Sequence, residues 1–203
     1  MGFVEGSGNV HAGQGTANRR FFFDNFMLEL LWVTNPGEAQ SEQTRRTRLW
    51  ERCERQDAAV SPFGIIFRAS GEAPRAAPFP TWAYTPDYLP PGLAMQIAVG
   101  TSLYEPELFY LPFMKRARLP GSEPLLHAVP IRRIRTLSVG VTHFAELSDA
   151  ARLAMSHGLL NYFESPQPVM EISFEGAAVN VDLRPELPLV FRGAPPRRIQ
   201  VRK

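Results

Sequence analysis

Only one cysteine, Cys53, occurs among the 203 residues. An internal disulfide and a cysteine-built zinc site are therefore excluded, and a thiol in a charged stretch without a neighbouring histidine reads as a bystander. Charge of one sign is also scarce: 22 Lys and Arg stand against 20 Asp and Glu, a formal net charge of +2. That balance is far from the basic face that phosphate-backbone binding requires, so no nucleic-acid partner is expected. All the basic residues except Lys115 and Lys203 are arginine, which reads as coding bias. The short basic pieces Ile131-Arg132-Arg133-Ile134-Arg135 and Pro195 to Lys203 read as a half-exposed strand start and a solvated end.

Long apolar runs are missing as well. No stretch is both as long and as apolar as the ~18 to 20 residues of a membrane span, and the start MGFVEGSGNVHAGQG lacks the basic opening and apolar core of a signal peptide. The expectation is a cytoplasmic protein with no membrane partner. Gly13 and Gly15 form G-x-G without the rest of a dinucleotide fingerprint or a phosphate-cradling loop. There is no G-x-S-x-G elbow and no H-E-x-x-H, so hydrolase and zinc-protease readings fall away.

What is present is a chain able to bury a core, with 44% hydrophobic and 11% aromatic residues. Its 15 glycines and 19 prolines predict many short elements and turns, which argues against a purely helical bundle. A strand is expected near Gly2 to His11. Arg19 to Asp24 and Met27 to Val33 are apolar runs divided by the turn-like Asp24-Asn25, and read as a β-hairpin. Alternation along MLELLWV places Met27, Glu29 and Leu31 on one face and Leu28, Leu30 and Trp32 on the other.

Glu38 to Ala59, rich in Arg and Glu, reads as a solvated surface helix, Ser61 to Phe67 as a buried strand, and Ala69 to Pro80 as a loop or linker. Residues 81–130 alternate aromatics with prolines around one clear strand, Leu93 to Val99; Trp82 and Tyr84 there either line a pocket or pack on a sheet. Leu137 to His143 is a strand, Ser148 an N-cap for a helix running to His157, and Gly158 its stop. Further strands follow at Leu159 to Phe163, Val169 to Phe174, Ala178 to Leu183 and Leu187 to Phe191, a βαβββ pattern with antiparallel final strands.

HAGQGTANRRFFFDN followed by MLELLWV resembles the glyoxalase-like branch of the vicinal oxygen chelate superfamily, in which a GTAN turn leads into a strand and a leucine-Glu-leucine strand follows. SPFGIIFR, the stretch from Trp82 to Leu93 and the helix start at Leu147 are similar to phrases of the same family. The resemblance implies an α+β fold of paired βαβββ modules whose mixed sheets curl into a cup. Residues 1–130 would be the first module, lacking its opening strand and helix, and 131–203 the second.

A small molecule, and in metal-using members a divalent ion, would bind in that cup. Glu29 alone matches a metal-binding position well. His143 falls late in its strand, and Asp182 and Glu186 lack the leucine-Glu-leucine context. The function implied is therefore binding of a small oxygen-bearing or aromatic organic molecule without a complete metal site. The alternative is a divalent-metal-dependent lyase, isomerase or ring-cleaving dioxygenase using Glu29, with Mn, Fe, Ni or Zn. A first sheet lacking one strand exposes an edge, so either the native chain starts upstream or a second copy covers it, and a homodimer is expected.

A carboxylate within an apolar strand must find a partner, a cation or a wet cavity. Glu29 is thus ion-paired with Arg19 or Arg20, a metal ligand or substrate-facing base, or exposed at the sheet edge. His11, in the glycine-rich loop beside the hairpin, either bonds backbone or joins Glu29 as a ligand; Asn18 either caps the turn or touches the bound molecule. Binding residues expected beside these are Trp82 and Tyr84. His127, His143 and His157 are scattered.

Overall fold

The computed structural model describes residues 2–69, 76–113, 123–176 and 179–193. Residues 70–75 of the expected linker and the basic tail from Pro195 fall outside these. The architecture is α+β, with three sheets and few helices. β1 (Asn9–His11), β2 (Thr16–Phe22) and β3 (Met27–Val33) form an antiparallel meander with β2 in the centre. The hairpin expectation is met, with β2 beginning three residues early, at Thr16. Of the strand expected near Gly2 to His11, only Asn9–His11 forms.

Glu38 to Ala59 is broken rather than one helix. It holds α1 (Pro36–Ala39), a 3-10 turn at Arg45–Thr47 and α2 (Leu49–Glu54), with Arg48 between the last two at φ 54 in the left-handed region. The break lets Arg52 turn inward, where it is buried, so the charges of this stretch do not all face solvent.

A second sheet contains β4 (Gly64–Arg68), β5 (Thr81–Tyr84), β6 (Met95–Ala98) and β7 (Glu107–Leu111) in the order β4-β7-β6-β5, with β4 parallel to β7 and the other pairs antiparallel. Sequence patterning finds only β6 among the last three. The neighbouring prolines mask the strand character of TWAY and ELFYL, although alternation buries Tyr84 on one and Leu108 and Tyr110 on the other.

The third sheet runs β11 (Asn180–Asp182), β12 (Leu189–Gly193), β10 (Val169–Phe174), β8 (Ile134–Val141), β9 (Asn161–Glu164). Between β8 and β9 lies α3 (Asp149–Ser156), started by Ser148, whose Oγ accepts the Ala151 N–H, and followed by Gly158 at φ +67. The final strands are not purely antiparallel. β9 lies parallel to β8, and β12 inserts between β10 and β11 as a parallel neighbour of β10.

One hydrophobic cluster joins all three sheets and α3: Phe21 from the first and Phe23 from its β2–β3 turn, Leu108 from the second, Phe174 and Phe191 from the third, and Ala151 from the helix. Phe3 docks beneath, 5.4 Å from the rings of both Phe23 and Phe191. Full burial of such side chains stabilises by roughly 1.5–3 kcal/mol each. The face of the first sheet carrying Phe21, Leu28 and Leu30 is committed to this core, so the opposite face, with Thr16, Asn18 and Glu29, turns away from it. Among the described residues no helix is long and apolar enough to cross a membrane.

Candidate functional site

Strand register assembles the site. His11 lies opposite Thr16, Asn9 opposite Asn18, and Arg20 opposite Glu29, so alternation puts all six on one face of the first sheet. The ion pair, one of the three alternatives for Glu29, does not form among the described residues. Arg19, on the other face, pairs with Glu5 at 2.5 Å, and Arg20 turns to Ser7, donating to its carbonyl and its hydroxyl at 2.6 Å each. Glu29 is bound instead by Asn18, whose Nδ2 donates to Oε1 at 2.8 Å. The Asn18 Oδ1 accepts the Asn9 backbone N–H at 2.7 Å, which fixes the amide with its NH2 toward Glu29. Oε2 of Glu29 accepts no hydrogen bond among the described residues, and the side chain is half-buried.

His11 ends β1 rather than lying in the glycine-rich loop, and the loop that follows it is tied down by α1. Asn35 accepts the Gly37 and Glu38 N–H groups and donates to Glu38 Oε1, while Glu38 Oε2 accepts the Gly13 N–H at 2.8 Å. Gly15 has φ +70, and a Cβ there would enter the Asn35 carbonyl oxygen. His11 Nδ1 lies 2.9 Å from Thr16 Oγ1, and its ring sits 4.7 Å from that of Tyr88. Burial pushes the imidazole below its ordinary value, partly offset by the Glu29 charge.

Tyr84, at the end of β5, and Tyr88, in the loop after it, reach the same place. Both hydroxyls donate to Gln14 Oε1, at 3.2 and 3.1 Å, and Gln14 Nε2 donates to Thr16 Oγ1 at 2.8 Å. Burial raises both phenols, that of Tyr88 far above its ordinary range with help from Tyr84 and Glu29, so both stay protonated.

Four of the five expected residues, His11, Asn18, Glu29 and Tyr84, thus come together. Trp82 stands apart: its ring is 6.0 Å from Tyr84 but packs beneath the Arg46 guanidinium at 4.1 Å. Gln14, Thr16 and Tyr88 were not singled out by sequence reasoning. The signal was available in H-x-x-Q-x-T-x-N, whose Thr16 and Asn18 share a strand face with His11 once β1 and β2 pair. Of the other histidines, His127 accepts the Val4 N–H and contacts the Phe22 carbonyl, and His143 stacks on Tyr104 at 4.2 Å, both away from Glu29.

As a metal centre the donor set is short. His11 and Glu29 would supply at most two ligands, and among the described residues no three His, Cys, Asp or Glu side chains gather where an ion could be held. The described residues do not by themselves fit a divalent ion. Two surface clefts, one around Arg132 and Glu175 and one within the Thr85 to Ala94 loop, contain neither Glu29 nor His11.

The arrangement offers one unengaged carboxylate oxygen, an uncharged imidazole and the ring of Tyr88 on a half-exposed sheet face. It can hold a polar organic molecule through a donor to Glu29 and a flat surface against Tyr88. Comparison with protein-family models, with curated proteins and with solved structures finds no match to this chain.

Proposed function

We propose that the chain is a glyoxalase-like small-molecule-binding protein, holding an oxygen-bearing or aromatic organic compound against the polar face of the first sheet. The observation that carries this reading is Glu29: a carboxylate in the middle of an apolar strand, without an arginine partner among the described residues, anchored through one oxygen by Asn18, with its other oxygen unengaged among the described residues and its charge felt by His11 and Tyr88. A carboxylate needed only for stability would be cheaper to replace by an apolar residue than to keep half-buried and unpaired.

The modular reading is supported by the strand arrangement. The meander β5-β6-β7 carries β4 parallel beside its last strand, β1-β2-β3 is a second meander, and the final part contains a βαβ crossover. The homodimer belongs to the same reading. Among the described residues β3 has a neighbouring strand on one side only, an edge that a second copy would cover.

Saturation-transfer NMR on the purified chain with catechol and a set of simple α-hydroxyketones tests the binding reading. Transfer from protein to at least one probe, reduced in Glu29→Gln, is expected; equal transfer in both proteins, or none, overturns it. Light scattering on the same sample reads the assembly, and a monomer mass overturns the dimer.

A further inference from the structure

The polar groups around His11 form a chain whose direction is set by its far end. Gln14 is buried, and its side-chain amide has two orientations that exchange oxygen for nitrogen. With Oε1 toward the tyrosines, Tyr84 and Tyr88 each donate a phenol proton to it, and Nε2 donates to Thr16 Oγ1. Reversed, the NH2 group would face two hydroxyl groups and leave the Tyr88 proton with no acceptor among the described residues. Both phenols are held protonated by burial, so that orphan proton would persist. The structure places the oxygen toward the tyrosines, where it takes both phenol protons, while Nε2 uses one of its two protons on Thr16.

The consequence propagates inward. Thr16 is fully buried, and its oxygen already accepts from Gln14. Among the described residues its own proton has one acceptor, His11 Nδ1 at 2.9 Å. A ring nitrogen that accepts carries no proton, so the uncharged ring must carry it on Nε2.

We infer that Gln14 and Thr16 are positioning residues, a directional relay from Tyr84 and Tyr88 that fixes His11 as the Nε2–H tautomer and so sets a hydrogen-bond donor on the same sheet face as the Glu29 carboxylate. Nε2 has no partner among the described residues, so this donor is free for a ligand. The inference deepens the binding reading of the same site, in that a bound molecule would meet an acceptor at Glu29 Oε2 and a donor at His11 Nε2. The groups facing the ring are Thr16, Tyr88, Glu29 and Arg20, the last two acting on it by charge.

The test is long-range proton–nitrogen NMR of the ¹⁵N-labelled, ligand-free chain at a pH above 7.5. The expected spectrum has His11 Nδ1 pyridine-like and Nε2 pyrrole-like. Thr16→Val, nearly isosteric but without the hydroxyl, should lose that pattern and show averaged or reversed nitrogens, and Thr16→Ser should restore it. A wild-type ring protonated on Nδ1 overturns the relay, and so does a valine variant with an unchanged pattern. If Thr16→Val does not fold, the wild-type spectrum still decides. Because no ligand is present, failure of the binding reading leaves this result standing, and a wrong tautomer with binding intact removes the relay alone.

Discussion

Asn18 Nδ2 donates to Glu29 Oε1 across adjacent strands at 2.8 Å, while Asn18 Oδ1 accepts the Asn9 N–H from the strand on its other side. One buried amide therefore ties together all three strands of the first sheet and fixes the carboxylate. Asn18→Ala leaves a backbone N–H and half a carboxylate unpartnered, and should cost about 1–3 kcal/mol of unfolding free energy in urea titration. Asn18→Asp sets a second carboxylate against Glu29, so its penalty should grow as pH rises through the carboxylate range, whereas that of the alanine variant should not.

Gly15 carries a second constraint on the same site. Its φ of +70 and the Asn35 carbonyl beside it leave no room for a side chain. Gly15→Ala should destabilise by at least about 1–2 kcal/mol. It should also loosen the turn after His11, seen as faster amide exchange at Gly13 and Gln14 than at residues of β8.

Much of this architecture was readable from local pattern. The alternation of MLELLWV correctly separated Glu29 from Leu28 and Leu30, and Ser148 and Gly158 bounded α3. What escaped had non-local causes. Arg52 sits among charges that suggest a solvated helix, and only the left-handed break at Arg48 and distant carbonyl partners turn it inward. The parallel neighbours β4 and β7, and β10 and β12, depend on pairings across long stretches of chain that periodicity does not encode. At the site, the residue types pointed to His11, Asn18 and Glu29, but joining Tyr88 to Gln14 required the fold.

Arg52 is the buried tie between α2 and the second sheet. Its guanidinium donates to the carbonyls of Ser61, Ser102 and Glu105 at 3.0, 2.9 and 2.7 Å, and meets Glu107 at 3.4 Å. Arg52→Met should cost about 3–5 kcal/mol, because it strands Glu107 in the interior. Replacing both charges, as Arg52→Met with Glu107→Leu, should recover only part of this, since the carbonyls stay unsatisfied.

The pH dependence of that variant has a definite sign. Burial raises the Glu107 carboxyl above its ordinary 4.5 even with Arg52 present. A raised carboxyl contributes stability that is full below its unfolded value and lost as pH rises through the folded one. Without Arg52 the loss should deepen, so the destabilisation of Arg52→Met measured by urea should be smaller at pH 4 than at pH 7.

His11 acts in the opposite direction. Burial lowers it from its ordinary 6.5, so its contribution is present above that value and lost as pH falls through the lower folded one. Wild-type stability should therefore decline between pH 7 and pH 5 by more than that of His11→Asn. Parallel curves for the two proteins would contradict a half-buried, uncharged His11.

The most direct test of the Glu29 site is an affinity ratio. Titration calorimetry with the strongest probe from the catechol and hydroxyketone set, on wild type and Glu29→Gln, should show at least a tenfold weaker Kd in the variant, about 1.4 kcal/mol, with thermal stability nearly unchanged. Equal affinity in the two proteins would contradict Glu29 as the anchor of a binding site.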